Sequence, residues 1–369
     1  VIRQRAVLSV LCPLLFVLGG ARPAVAQRYV ARQEGDVVRL EDRKRQTTVS
    51  ILPSVGNIAF DMTVKGRKVL RWPYALVEEF KARPGLSGIP FLGPWANRLD
   101  EPAFYANGRK YALDMTLGNI RGGAIPIHGF LSTTDQWRVS AVMVNDQEAW
   151  VTSRLEFSRN PAWMTQFPFA HTLEMTYRLH DGVLQVTLRI ENLGDEPMPV
   201  SIGFHPYFQL ADSSRDRWTL SVAAKTQWLL APNKIPTGET QPIGKFLSNP
   251  RKAVLRNYDL DHVFGDLIRD ASGRAVMTVK GKRERIDVLL GPRYHAVVIY
   301  APKPATPAPA PPGQPPGTPP PDRNFICIEP MAGITNAMNL SQKGLYHELE
   351  SIAPRGAWEE SFWVRPRGF

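Results

Sequence analysis

The sequence predicts an all-β protein, a large antiparallel β-sandwich, on three observations. Apolar and polar residues alternate along many short runs, an Asp-Gly dipeptide joins two of the longest, and almost no stretch keeps a helical period for four turns. Side chains on a strand point alternately to opposite faces, so each run has one face to bury, and two sheets stacked on those faces bury all of them together. With 369 residues, 43% of them hydrophobic, the chain is long enough for one large sandwich.

In chain order the first runs are TTVSIL from Thr47, NIAFDMTV from Asn57 and EAWVTSRLEF from Glu148. HTLEMTYRLHDGVLQVTLRIENLG follows from His171. Leu173, Met175, Tyr177 and Leu179 precede its His180-Asp181-Gly182, and Leu184, Val186, Leu188 and Ile190 come after, which predicts an antiparallel hairpin on an Asp-Gly turn. RWTLSVAA, AVMTVKG, RIDVLL and HAVVIYA add further strands, and NFICIEP reads as a core strand.

Between these last two lies Pro302 to Pro321, with 11 prolines in 20 residues, which excludes both helix and sheet ladder. The 48 residues after it are a thin basis for an independent core. The segment is therefore expected to be an exposed insertion at 302–321 within a single domain spanning 27–369, since long surface insertions cost little loop-closure entropy. No internal repeat is evident.

Residues 1–26 read as an export leader: Arg3 and Arg5, an apolar run from Ala6 to Gly19, then Ala24-Val25-Ala26, with cleavage expected before Gln27. That run of about 13 residues is short of the roughly 20 that a spanning helix needs, so no integral membrane segment is expected after cleavage. The expected location is the periplasm or the exterior. Cleavage leaves Cys327 as the one thiol, excluding an internal disulfide. Three leader arginines contribute to the formal charge of +11, and the basic runs DRKRQ and KGKRER read as solvated faces. No nucleic-acid motif is present, and the oligomeric state is not legible.

The stretch SIGFHPYFQL, read as one strand, puts Val200, Ile202 and Phe204 on one face and Ser201, Gly203 and His205 on the other. Pro206 then ends the ladder, so His205 is expected at a strand end with space beside it. Other polar residues sit in apolar or glycine-proline contexts: Asn97 and Arg98 in GPWANRL, His128 in IPIHGF, Asp261 in YDLDHVF and Glu329 in ICIEPMAG. Each alone has a structural reading, as a buried ion pair, a satisfied core histidine or a loop cap. Buried charge is costly unless paired or functional, so the set predicts a shared cleft, with Trp95, Tyr207, Phe208 and Phe264 as candidate walls for a sugar face. Seven histidines without H-x-H, H-E-x-x-H or C-x-x-C spacing make a metal site unexpected. No G-x-S-x-G elbow, Walker loop or dinucleotide fingerprint appears, and no cofactor is expected.

Together these motifs resemble the aldose 1-epimerase (mutarotase) family, from about Ser50 to the C-terminus. The ordered matches are an N-R pair after a glycine-proline turn, a His-Gly about 30 residues later, GFHPYF, IPTGE at Ile235 to Glu239, DHVF, and IEP before a downstream NAMNL. The resemblance implies a galactose mutarotase-like supersandwich and a cofactor-independent isomerase acting on a monosaccharide. It implies that Glu329 is the general base and His205 the general acid, and that Arg98, His128, Asp261 and, on the same motif as Arg98, Asn97 hold sugar hydroxyls. An imidazole with a reference pKa of about 6.5 gives and retakes a proton near neutrality, and a carboxylate of about 4.3 is expected to start ionised. The space beside His205, at Ser201 and Gly203, is expected to admit the ring. The sequence departs from the family pattern at Pro94-Trp95, where an arginine-aromatic pair is common, and at Phe130, in place of a second glycine. H-G-F with a downstream Trp137 also resembles more distant epimerase-like branches. Two other readings stay open: a non-catalytic carbohydrate-binding protein on the same fold, and a hexose-phosphate epimerase.

Overall fold

The computed structural model describes residues 1, 27–116, 120–121, 125–304 and 322–369. The expected leader, Val1 apart, and residues 305–321 of the proline-rich stretch lie outside the described residues. What is described is dominated by antiparallel strands in a five-stranded, a nine-stranded and an eight-stranded sheet, with smaller two-stranded pairs. The three α-helices among the described residues have six residues each.

Alternation builds the nine-stranded sheet. In the hairpin His171–His180 with Val183–Asn192, His180 pairs with Val183 across Asp181 and Gly182, whose φ angles of 48° and 75° give the twist that suits a two-residue turn. Leu173, Met175, Tyr177 and Leu179 on one strand and Leu184, Val186, Leu188 and Ile190 on the other are buried, as the sequence predicts. Ala357–Arg367 and Arg285–Leu290 continue the sheet with the same period.

The eight-stranded sheet covers that buried face. Phe204, Phe264, Val297, Ile299, Ile326 and Ile328 belong to the same main core, and the Phe204 and Phe362 rings, 4.9 Å apart, join the two sheets. Each such buried side chain contributes roughly 1.5–3 kcal/mol of transfer free energy. Residues of opposite parity on this sheet, among them Val298, Tyr300, Cys327 and Glu329, face away from the main core. This outer face carries the cleft. The strands Ala296–Ala301 and Ile326–Met331, on either side of the proline-rich stretch, are hydrogen-bonded neighbours, with Tyr300 paired to Cys327.

Two histidines belong to the packing. The buried His171 ring stacks on Phe157 at 4.2 Å and donates from Nδ1 to the Phe169 carbonyl at 2.6 Å. Burial pushes its pKa down to about 4, and burial likewise takes His262, beside Phe246, to about 4. Both rings are neutral in the fold and gain protons below about pH 6.5 when unfolded. Their contribution is therefore complete above pH 6.5 and is lost as pH falls through 4. Guanidinium denaturation is expected to show stability declining from pH 6.5 to 4, and His171→Gln is expected to flatten that slope by up to one proton. An unchanged slope would contradict this assignment.

Candidate active site

The register of one strand pair sets the site. Gly203 pairs with Met331 and Tyr207 pairs with Cys327, so continuing the register from either end brings His205 opposite Glu329. Pro206 lacks an amide donor and breaks the ladder between the two pairings, while the His205 N–H donates to the Pro90 carbonyl at 3.0 Å. His205 Nε2 and Glu329 Oε1 lie 3.3 Å apart, with both side chains buried. Tyr207 stacks on the imidazole at 4.8 Å and 11°, and the rings of His128 and Tyr300 meet it edge-on at 5.4 and 6.1 Å.

Asn97, Arg98 and His128 come from two loops drawn together. Gly129, at φ 58°, lies so close to the 93–94 segment that a Cβ there would sit 2.1 Å from the Gly93 carbonyl oxygen. Asn97 and His128 both adopt left-handed backbone, φ 56° and 65°, uncommon outside glycine and concentrated at functional sites. The His128 N–H donates to the Asn97 carbonyl at 2.9 Å, and the Asn97 N–H donates to His128 Nδ1 at 3.2 Å. An accepting Nδ1 puts the ring proton on Nε2. Asn97 Oδ1 accepts from the backbone N–H and from Nη1 of Arg98, both at 2.9 Å, and aims the guanidinium so that Nη2 lies 3.3 Å from Asp261 Oδ2. The NAMNL motif anchors this loop from a distance: Asn336 Oδ1 accepts from the Asp100 N–H, and Asn339 Nδ2 donates to Asp100 Oδ1 at 2.7 Å and to the Ala103 carbonyl at 3.1 Å.

All six residues singled out from the sequence, Asn97, Arg98, His128, His205, Asp261 and Glu329, line one cleft of about 360 Å³. Three expectations about strands and packing require correction. SIGFHPYFQL is not one strand: Met198–Val200 pairs with Glu350–Ile352, whereas Gly203–Phe204 pairs with Phe91–Leu92 and the Ile326–Met331 strand. The space at Gly203 does not admit a ring either, because a Cβ there would meet Met331 Sδ at 2.4 Å and the Pro330 carbonyl oxygen at 2.9 Å. That glycine lets the Glu329 strand approach. Of the four aromatics, only Tyr207 lines the cleft; Trp95 packs edge-on against Phe130, and Phe208 and Phe264 sit in the main core.

The sequence reading missed Tyr300, Ser132, Thr133 and the Pro84–Leu86 wall. Tyr300 carried a usable signal, since it shares the parity of Val298, which pairs with Glu329. The wall offers no chemical signature.

Burial drives the Glu329 carboxyl well above its ordinary 4.5; the Asp261 charge adds to the rise and Arg98 opposes it. The expectation of an ordinary, ionised carboxylate is thereby replaced by one of high proton affinity. Glu329 Oε2 is buried with no hydrogen-bond partner among the described residues, an arrangement that costs roughly 1–3 kcal/mol and calls for a functional reason. Contact at 3.3 Å between a carboxyl of raised pKa and an imidazole lets one proton be held by either group, the setting for concerted acid–base chemistry at one carbon.

Fold and site together define an all-β sandwich protein with a buried histidine–carboxyl contact lining a cleft of about 360 Å³. The family model for aldose 1-epimerase matches residues 36–343, and the chain belongs to that family, a family of isomerases. Among curated proteins it is similar to the uncharacterized protein YihR of Escherichia coli (strain K12), 23% identical over 248 residues, 67% of this chain and 70% of that protein. Among solved structures it is similar to a galactose mutarotase-like protein from Clostridium acetobutylicum, with a TM-score of 0.75 and 20% identity over 92% of this chain and 98% of the other. A galactose 1-epimerase from Lactobacillus acidophilus NCFM gives a TM-score of 0.62 at 17% identity, covering 92% and 98%. At these identities the two structures speak for the fold alone.

A folded-state pKa raised above the unfolded value means that the favourable form is the protonated one, fully present below about pH 4.5 and lost as pH rises through the folded value. Glu329→Gln is therefore expected to raise the thermal midpoint at pH 7 by about 2–6 °C, with the gain vanishing near pH 4. Calorimetric scans at the two pH values check this, and a variant less stable than the native protein at pH 7 would contradict the buried-carboxyl reading.

Proposed function

We propose that the protein interconverts the α and β anomers of a free hexose or a related sugar, without a cofactor, through Glu329 and His205. The single observation that carries this reading is the 3.3 Å contact between His205 Nε2 and Glu329 Oε1 at the floor of the cleft. In ring opening, Glu329 takes the proton of the C1 hydroxyl while His205 protonates the ring oxygen. The bond from C1 to the ring oxygen breaks and C1 becomes an aldehyde. After rotation about C1–C2, the freed hydroxyl attacks the other carbonyl face, His205 takes its proton back and Glu329 returns its own to O1. The pair carries one proton before and after each turnover, so nothing needs regenerating. Two oxygens on one carbon are separated by a distance of the same order as the acid–base contact, which is why so close a pair can serve both.

Arg98, Asp261 and His128 surround the pair as hydrogen-bond partners for the remaining hydroxyls, with Asn97 orienting Arg98. The charge in the cleft supports a free sugar over a hexose phosphate. Among the described residues lining the cleft the one guanidinium, Arg98, already faces Asp261, and Glu329 adds a second acid, so a phosphate group would meet two carboxyl groups there beside one paired cation. The presence of both acid and base supports an enzyme over a protein that only binds sugar. Export through the leader to the periplasm or beyond belongs to the same proposal, and the secreted chain is expected to begin at Gln27 on N-terminal sequencing.

Polarimetry of freshly dissolved α-glucose, α-galactose and a wider sugar panel tests the activity. The rate is expected to be bell-shaped in pH, because the pair is inactive with two protons or with none. Glu329→Gln and His205→Asn are each expected to lower it about 10²–10⁴-fold while calorimetry still detects sugar binding. Binding without acceleration across the panel would make this a carbohydrate-binding protein, and acceleration confined to phosphorylated sugars would move the assignment to hexose phosphates.

A further inference from the structure

Two basic runs take no part in the cleft: Arg43, Lys44 and Arg45 in one turn, and Lys280, Lys282, Arg283 and Arg285 around another. The five-stranded sheet carries the first run and the nine-stranded sheet the second, and the two meet where Lys44 and Arg45 line one recess with Arg365 and Arg367. On the solvent face of the nine-stranded sheet Lys280 stands directly opposite Arg285, and Arg285 directly opposite Arg367. Like charges in directly opposed cross-strand positions are destabilising, so two adjacent pairs of them are a feature the fold itself does not require. One buried carboxylate, Asp287, serves three guanidinium groups, those of Arg285, Arg365 and Arg367, at 2.6, 3.0 and 3.5 Å. Among the described residues, no ion pair to a carboxylate engages Arg251, Lys252, Lys280 or Lys282.

This surface is concave. One recess of about 490 Å³ is lined by those four cations and Arg285, with the hydroxyl residues Thr219, Ser221 and Thr278 and no acid. A second, of about 610 Å³, is lined by Lys44, Arg45, Lys65, Arg365 and Arg367. Its one acidic side chain, Asp181, is already held by Arg28 and Arg45. The opposed Arg285 and Arg367 make the two recesses neighbours. Nearby acids are also committed: Asp212 accepts from the N–H groups of Arg283 and Glu284, and buried Glu284 pairs with Arg67. From the Ala253–Val254 edge strand to Ala357–Arg367 the belt crosses four strand spacings, roughly 19 Å.

We propose that this belt binds an acidic polysaccharide, a chain of sugars bearing sulfate, phosphate or carboxylate groups. The cations are spread in a line, as a polymer of repeated charge requires, and the threonine and serine hydroxyls are interleaved with them. Among the described residues none of the exposed large hydrophobics lines either recess as an anchor for a lipid surface, and no exposed aromatic ring there offers a platform for stacked bases. The belt lies on the outer face of the nine-stranded sheet and on the adjoining turns of the five-stranded one, and the cleft on the outer face of the eight-stranded one, so a bound polymer leaves the cleft open. The proposal does not depend on what the cleft does.

The test uses the full chain with dextran sulfate, uncharged dextran of the same length, a short DNA duplex and vesicles of phosphatidylcholine with phosphatidylglycerol. Dextran sulfate is expected to bind best and uncharged dextran not at all. The combined change Arg251→Gln, Lys252→Gln, Lys280→Gln and Lys282→Gln is expected to weaken dextran sulfate binding at least about 10-fold and to reduce the salt dependence, as expected when counterion-releasing contacts are lost. An equal charge loss elsewhere, Arg83→Gln, Arg138→Gln, Arg159→Gln and Arg355→Gln, is expected to cost less than about 3-fold. Lys280→Arg with Lys282→Arg is expected to retain binding and guards against a fold defect. Equal losses in the two neutralised variants, tighter binding of DNA or vesicles than of dextran sulfate, or no binding in low salt would each overturn the proposal.

Discussion

The structure of the cleft depends on the register between Ile326–Met331 and the two short strands around His205. Ile326 and Ile328 enter the main core, so Cys327, Glu329 and Met331 must face the other way. A slip of one residue would bury the carboxylate among the core side chains and expose isoleucine in its place. The penalty for that exchange fixes the register, and the register in turn sets His205 opposite Glu329. Gly203 allows the strands to close, and Pro206 interrupts the ladder where the imidazole needs room to leave it. The proposed acid–base pair is thus held by strands whose position the hydrophobic core enforces, the kind of support that a site with sub-ångström tolerance needs.

The same placement makes Glu329 expensive for stability and useful for chemistry. Burial and the neighbouring Asp261 raise its proton affinity, while Arg98 partly offsets them. Held by Asn97 Oδ1 on one side and Asp261 on the other, Arg98 moderates the carboxyl without pairing directly with it. A direct ion pair would have lowered the pKa and stabilised the fold, at the loss of a strong base. In the proposed reaction this arrangement would let the proton pass between carboxyl and imidazole and leave the remaining polar atoms of the cleft for sugar hydroxyls.

The sandwich was legible because period-two alternation is a local property: the hairpin about Asp181-Gly182 and the strands at Ala275, Arg285 and Ala296 can each be read within about ten residues. The site was legible for a related reason, since charged residues lodged in apolar strand contexts such as ICIEPMAG have few structural justifications. What local sequence does not carry is the partner of each segment. SIGFHPYFQL alternates like one strand, yet its halves pair in two different sheets, and only the neighbours at Glu350–Ile352 and Phe91–Leu92 decide where it divides. The same limit explains the aromatics: adjacency to a polar motif does not say which face a ring occupies, so Trp95 and Phe208 read as cleft walls while their packing is internal. Tyr300, outside every motif, reaches the cleft through cross-strand register alone.

The two polar regions differ in how completely their charges are answered. In the cleft Arg98 has Asp261 beside it, and Glu329 has His205 within 3.3 Å, so each charged group there faces a partner of opposite character. Along the belt the opposed Lys280, Arg285 and Arg367 have a single buried aspartate between three arginines, and four more cations have no carboxylate partner among the described residues. The thickness of the sandwich separates these regions: packed sheets lie about 10 Å apart, and the cleft lies beyond the far one, whereas exposed charges are screened over about 8 Å at physiological ionic strength. The field of the belt therefore has little influence on the His205–Glu329 contact in the cleft. An anionic polymer and a neutral monosaccharide can each be recognised by the chemistry of its own face, and the core that enforces the register of one also keeps the other at a distance.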